Sequence, residues 1–222
     1  MIRNCTYILF FLLFIISCND NPKVKANKTT AITLDTSYSI PYRSKWNTEL
    51  ISFPIEFAPG IPYKGVEDIR FAPGWNDVTS EEYWTYCFLW SLQDNPKTDA
   101  RIIENNLKTY YKGLIGSNTK KNKIPDDKLI ITETSFKKVK TDKNDIETFE
   151  GTIHMLDYMR QEPITLNCRV HLISCSQQNN VYQFYEISPQ PLTHNIWKIL
   201  SVFREGFKCI DNKEGKIKKV SQ

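Results

Sequence analysis

From Trp46 onward the chain alternates apolar and polar residues with a period of two, and it adopts a helical period only twice. Period two sends successive side chains to opposite faces of a strand, so the pattern commits most of the chain to sheet. The strongest run is Glu82–Leu92, where Trp84, Tyr86, Phe88, Trp90 and Leu92 put large side chains on one face, which must be core. Leu50–Phe57 and Val66–Phe71 precede it as strands, and Pro54 within the first argues for an edge or a bulge. Lys128–Val139, Glu147–Met159, Ile164–Cys175 and Val181–Ile187 follow, with the stretches KTDKND and SQQNN suited to hairpin loops.

The helical spacing first occurs at Ile102, Ile103, Leu107, Tyr110, Tyr111 and Leu114. Thr98 or Asp99 can cap its start, and Gly113 and Gly116 read as stop signals after about four turns. A second helix is expected behind Thr193, burying Ile196, Trp197, Ile199, Leu200, Val202, Phe203 and Phe207. The order β, β, β, α, β, β, β, β, α offers few crossovers long enough for parallel pairing. The expected fold class is therefore α+β, a largely antiparallel sheet with two amphipathic helices packed on it. With 222 residues, 41% hydrophobic and 13% aromatic, the chain can bury a real core, and disorder, collagen and coiled coil are excluded. A net charge of +4 is too small to imply a nucleic-acid partner.

The amino terminus has a different character. Arg3 is followed by ILFFLLFII at Ile8–Ile16, an unbroken apolar run that stops at Ser17. A charged start and a short apolar stretch make a secretory signal, whereas a membrane span needs about 20 apolar residues. Ile15-Ile16-Ser17-Cys18 resembles the bacterial lipobox. That resemblance implies cleavage before Cys18 and a diacylglycerol thioether on its sulfur, with a further acyl chain on the new amine. Two or more chains hold a protein firmly to a membrane. The expected organisation is a lipoprotein signal at 1–17, a polar tether at 18–36, a single α+β domain at 37–211 and a polar tail at 212–222.

Ser52–Trp75, SFPIEFAPGIPYKGVEDIRFAPGW, with EEYWTYCFLW behind it, resembles segments of uncharacterised envelope lipoproteins of Bacteroidetes-type bacteria. The resemblance implies an envelope location and carries no activity and no catalytic residue. The alternation of strands with a closing amphipathic helix is also similar to the Mog1/PsbP-like α/β/α sandwich, in architecture alone.

No Walker loop, dinucleotide fingerprint, HExxH, GxSxG or CxxC pair occurs, and no motif calls for a cofactor. The acidic and aromatic stretch is the most suggestive. Glu56, Glu67, Asp68, Glu81 and Glu82 lie close in sequence to Tyr63, Trp75 and Tyr83 and to two Pro-containing loops. Aromatic faces beside carboxylates suit a carbohydrate or peptide ligand, which makes Tyr63, Trp75 and Tyr83 the ligand-binding candidates. Paired carboxylates could also hydrolyse a glycoside, for which Glu56, Glu67 and Asp68 are the candidate catalytic residues. The bland alternative is that Trp75 packs under its loop and that Glu67 or Asp68 pairs with Arg70 or Lys64.

A turn at Arg160–Pro163 would bring His154 and His171 close on one sheet face. Two ligands fall short of a metal site, Cys175 lies too far along the strand, and a solvated polar face is the expectation, with no metal. Cys168 and Cys175, seven apart, face opposite sides, whereas Cys209 could reach Cys175 or Cys87; four free thiols are the alternative. Lys120-Lys121-Asn122-Lys123 and Lys137-Lys138-Val139-Lys140 are diluted by nearby aspartates and read as solvated loops. The expected function is a lipid-anchored cell-envelope protein, periplasmic or surface-facing, that binds a ligand or a partner without catalysis. A glycan or peptidoglycan hydrolase and a structural subunit of an envelope complex are the alternatives.

Overall fold

The computed structural model describes residues 37–175 and 179–210. The lipobox with Cys18, the tether and the polar tail lie outside the described residues. The elements are β1 (Tyr38–Ser39), β2 (Asn47–Phe53), β3 (Gly65–Phe71), β4 (Tyr86–Leu92), α1 (Ala100–Asn122), β5 (Glu133–Lys138), β6 (Asp145–Asp157), β7 (Glu162–Cys175), β8 (Asn180–Ser188), α2 (Ile196–Glu205) and β9 (Lys208–Cys209). Seven strands form one antiparallel sheet in the order β2-β3-β4-β8-β7-β6-β5, and β1 pairs with β9 in a separate ribbon. The α+β class and the element order agree with the sequence pattern, apart from that two-residue ribbon, which is too short to show a period.

Two meanders, β2-β3-β4 and β5-β6-β7-β8, meet where β4 pairs with β8. α1 carries the chain from that centre to the far edge at β5. The central strand β4 is buried at every position, so its two faces serve two cores. Tyr86, Phe88 and Trp90 join Tyr185 and Ile187 of β8 beneath Ile103, Leu107 and Tyr111 of α1. Cys87 and Leu89 join Tyr182 and Phe184 beneath Ile196, Trp197, Leu200 and Phe203 of α2. The helices thus cover opposite faces of the sheet. Phe88 and Tyr185 stack at 4.4 Å, and each large side chain buried at this depth contributes roughly 1.5–3 kcal/mol.

Several element boundaries differ from the sequence pattern, each for a local reason. β2 ends at Phe53, because Pro54 has no amide to donate, and it is an edge strand. β4 begins at Tyr86, not Glu82: the Tyr83 and Thr85 amides donate back to Ser80 and Glu82, and Trp84 takes a left-handed backbone at φ 52°. β5 starts at Glu133, behind a single 3-10 turn at Asp126–Lys128. α2 begins at Ile196 without a Thr193 cap, and the Ile196 amide donates to His194 Nδ1 at 3.1 Å. The basic pair Lys120 and Lys121 occupies the last turn of α1, favourable to the helix dipole.

α1 starts at Asp99, whose carboxylate accepts the Ile102 amide at 2.9 Å, and it runs straight through both glycines to Lys123. Gly113 is a packing residue and not a stop: a Cβ there would stand 1.9 Å from the carbonyl oxygen of Phe57. At Gly116 a Cβ would meet nothing within 4 Å. Alanine at the two sites should therefore act with opposite signs. Gly113→Ala should destabilise by about 1–3 kcal/mol through overpacking, and Gly116→Ala should stabilise by up to about 1 kcal/mol through helix propensity. Urea unfolding of the two variants checks this; equal shifts would show that the helix does not press on the Phe57 loop.

Candidate functional site: an aromatic cleft beside helix α1

The sequence places the odd-numbered residues of β2 and β3 on the α1 face, with Glu49 opposite Ile69 and Ile51 opposite Glu67. α1 packs chiefly over β5 and β6, which leaves this half of the sheet without a helix directly above it. The segment 54–64 fills part of the gap. Ile55, Ala58 and Ile61 are buried in it, held by successive turns with amide bonds of 3.0 and 3.1 Å. What remains is a cleft of about 170 Å³.

Its floor is Ile69, Phe71 and Tyr86, and its walls come from Phe57, Tyr110 and Leu114 on one side and Trp75, Trp84 and Tyr158 on the other. Phe57 meets the Tyr110 ring edge-on at 5.0 Å, and Trp75 lies 4.7 Å from Phe71. The Trp84 amide donates to the Trp75 carbonyl at 2.8 Å, which ties the left-handed bend before β4 to the loop carrying Trp75. Glu49, exposed on the edge strand, is the one carboxylate that lines the cleft.

Glu67 lies behind the wall, fully buried, and accepts from Trp90 Nε1 at 3.2 Å and from the Tyr110 hydroxyl at 3.3 Å. Burial pushes its carboxyl up to about 8, against the lowering effect of those two bonds and with a smaller push from Glu49. At neutral pH it is therefore mainly a neutral acid that fixes Tyr110, whose ring faces the cleft.

The three candidate catalytic carboxylates do not come together. Asp68, next to Glu67 in β3, points to the α2 face, where it binds Arg70 and accepts from the Tyr38 hydroxyl at 3.3 Å. Glu56 is exposed on the 54–64 segment. The ligand-binding candidates also separate. Trp75 lines the cleft; Tyr63 packs on Phe53 and Trp90 and accepts from Asn106 at 2.9 Å. Tyr83 opens into a different, polar cavity of about 290 Å³ and donates to Asp157 at 2.6 Å. Phe57, Tyr110, Leu114 and Tyr158 were not singled out as site residues. Their only signal was apolar character in helix and turns, which core packing shares.

His154 and His171 are not neighbours. The β6–β7 turn is Tyr158–Gln161, two residues earlier than the expected turn, so His154 faces Thr165 and His171 faces Thr148. Six residues of strand between the two rungs separate them by about 20 Å. Cys175 and Cys209 form a disulfide with Cα atoms 5.7 Å apart, while Cys87 and Cys168 are free and buried. Cys168 and Cys175 do face opposite sides, one in each core. Burial raises both free thiols well above the usual range, which removes them as nucleophiles near neutral pH.

No family model, curated protein or solved structure matches the chain. Among the described residues no helix is long and apolar enough to cross a membrane.

Proposed function

We propose that this chain is a lipid-anchored cell-envelope protein that holds a small apolar group in the aromatic cleft and performs no catalysis. The cleft carries the reading. An apolar cavity of about 150 Å³ accommodates one benzene ring, and the volume here, about 170 Å³, matches a single aromatic ring or a short branched alkyl group. Phe71, Tyr86 and Tyr110 offer ring faces and edges for stacking, and Glu49 at the rim accepts a hydrogen bond from a hydroxyl or amine carried by that ring. The lipobox at Ile15–Cys18 supports the anchoring, and the Cys175–Cys209 bridge suits an oxidising compartment outside the cytoplasm.

The test has two arms on the full chain made in a bacterial host. Labelled fatty acid should enter the wild type and not Cys18→Ser. The purified mature protein, titrated with phenol or indole, should change its tryptophan fluorescence saturably, and Trp75→Ala should weaken binding at least about tenfold, equivalent to about 1.4 kcal/mol. An unlabelled wild type would refute the anchor. No saturable response to any single-ring compound would refute the ligand class.

A further inference from the structure

The face under α2 holds a second group of residues that the aromatic cleft does not use. Asp142 from the β5–β6 loop, Asp145 at the start of β6 and His171 on β7 each bring one ligand atom within 4.8 Å of the others. His171 Nδ1 is 2.7 Å from Asp145 Oδ2 and 3.8 Å from Asp142 Oδ2. Ligands about 2.0–2.2 Å from a tetrahedral ion lie about 3.4 Å from one another, and these two separations bracket that value.

The backbone is built to deliver Asp145. Pairing of β6 with β7 shifts register between Asp145 and Glu147, so that Ile146 is an extra, exposed residue. Without that bulge Asp145 would share the face of Glu147 and Phe149; with it, Asp145 pairs with Ile173 and turns to the α2 face, where His171 lies. Asn144, at φ 72°, and the bond from the Asp145 amide to the Asp142 carbonyl at 3.2 Å hold the turn that brings the two aspartates together.

Hydrogen bonding satisfies only the inner atoms of this place: Asp145 Oδ2 accepts from the Thr148 hydroxyl at 2.6 Å and meets His171 Nδ1 at 2.7 Å. Asp142, Asp145 and Glu186 surround His171, and Arg204 Nη1 lies 3.6 Å from Asp145 Oδ1 while it donates to the Lys143 carbonyl at 3.3 Å. The neighbouring Arg169 is engaged by Glu150 at 2.9 Å, and Arg70 by Asp68. Three carboxylates thus face one imidazole and one guanidinium. Asp145 Oδ1, His171 Nε2, Glu186 Oε1 and Arg204 Nε have no hydrogen-bond partner, four of the six such buried atoms among the described residues. The Asp145 and His171 side chains are 0% and 1% exposed, and Asp142, at 44%, leaves a way in.

We infer that Asp142, Asp145 and His171 form a binding site for a divalent transition-metal ion of the zinc type. One imidazole and two carboxylates suit such an ion better than calcium or magnesium, which take oxygen ligands. His171 coordinates through Nδ1, the ion replacing the proton of the 2.7 Å hydrogen bond to Asp145 Oδ2 and releasing it to water, and turns Nε2 toward Glu186, 3.6 Å away, the arrangement in which a carboxylate orients a metal-binding imidazole. Asp145 coordinates through Oδ2 and leaves Oδ1 to Arg204. The fourth position opens beside Asp142 to water.

Chelator-treated mature protein should bind one equivalent of Co²⁺, seen as visible absorption bands of a low-coordinate N/O site, and Zn²⁺ should bleach those bands. Asp142→Asn, which alters a half-exposed loop side chain, should weaken binding at least tenfold without moving the metal-free melting temperature. Glu186→Gln should weaken it by about 10–100-fold. His154→Ala, on the same face but far away, should leave it unchanged. Absence of stoichiometric binding, or binding kept in both Asp142→Asn and His171→Gln, would overturn the site.

Discussion

Between pH 5 and pH 7.5 the wild-type chain should lose about 3 kcal/mol of stability that Glu67→Gln keeps. In the unfolded chain Glu67 ionises near 4.5, and in the fold burial holds it protonated up to about 8. Across that window the folded state binds a proton that the unfolded state has released, so stability falls with rising pH by about 1.4 kcal/mol per unit. The groups facing Glu67 do not offset this. Trp90 on β4 and Tyr110 on α1 only donate hydrogen bonds, and Glu49 on β2 adds repulsion. Glutamine keeps a carbonyl oxygen for both donors and never ionises. His171 contributes in the same direction above 6.5: burial lowers its pKa, but Asp145 and Glu186 together raise it further. The quantity to measure is therefore the stability of Glu67→Gln minus that of the wild type, from urea unfolding at each pH, in which the His171 part cancels. A difference that does not change with pH would mean that Glu67 ionises normally inside the fold. Because Tyr110 joins Glu67 to the cleft, ligand affinity in the wild type should weaken as pH passes 8, and in Glu67→Gln it should not.

The element order and the burial of β4 were legible because they depend on periodicity, which sequence displays directly. The extension of α1 past Gly113 was not. A glycine that ends a helix and one that admits a neighbouring carbonyl look alike until Phe57 is placed against it. The late start of β4 has a similar cause, since Trp84 continues the alternation while its backbone leaves the strand. The register of β6 against β7 depended on where a four-residue turn sits, and a displacement of two residues was enough to part His154 from His171.

The cleft was legible in one residue. Trp75 was marked by its loop and its aromatic character, but the other walls come from α1, the 54–64 segment and the β6–β7 turn, which only the topology assembles. Adjacent Glu67 and Asp68 suggested a carboxylate pair by proximity in sequence, and strand geometry sends them to opposite faces. Asp145 was hidden by a bulge, which reverses the face that alternation assigns. Glu186 stands in the apolar run VYQFYEIS, where a buried charge on a central strand is itself a signal of a partner nearby.

Removal of the Cys175–Cys209 bridge should cost about 3–4 kcal/mol, the entropy regained by the unfolded chain when a loop with a sequence separation of 34 is released. The bond joins the end of β7 to β9, and the chain between them contains β8 and α2. β9 is held to β1 by a two-residue ribbon, which is too short to persist alone, by a bond from the Ile210 amide to the Ser37 carbonyl at 2.8 Å and by Tyr38 packing on Phe207 and Tyr182. The bridge therefore closes the α2 layer as well as shortening the unfolded chain. Cys209→Ser should lower the urea midpoint, and reductant should lower the wild type to nearly the same value while leaving the variant where it is. Backbone amides of β1 and β9 should lose hydrogen-exchange protection in Cys209→Ser, whereas those of β3 and β4 keep theirs. Thiol titration of the unfolded wild type must rise by two on reduction, since Cys87 and Cys168 are already free. A wild type whose midpoint is indifferent to reductant, with that rise of two confirmed, would show that packing of Trp197, Leu200 and Phe203 on β4 and β8 holds α2 without the bridge.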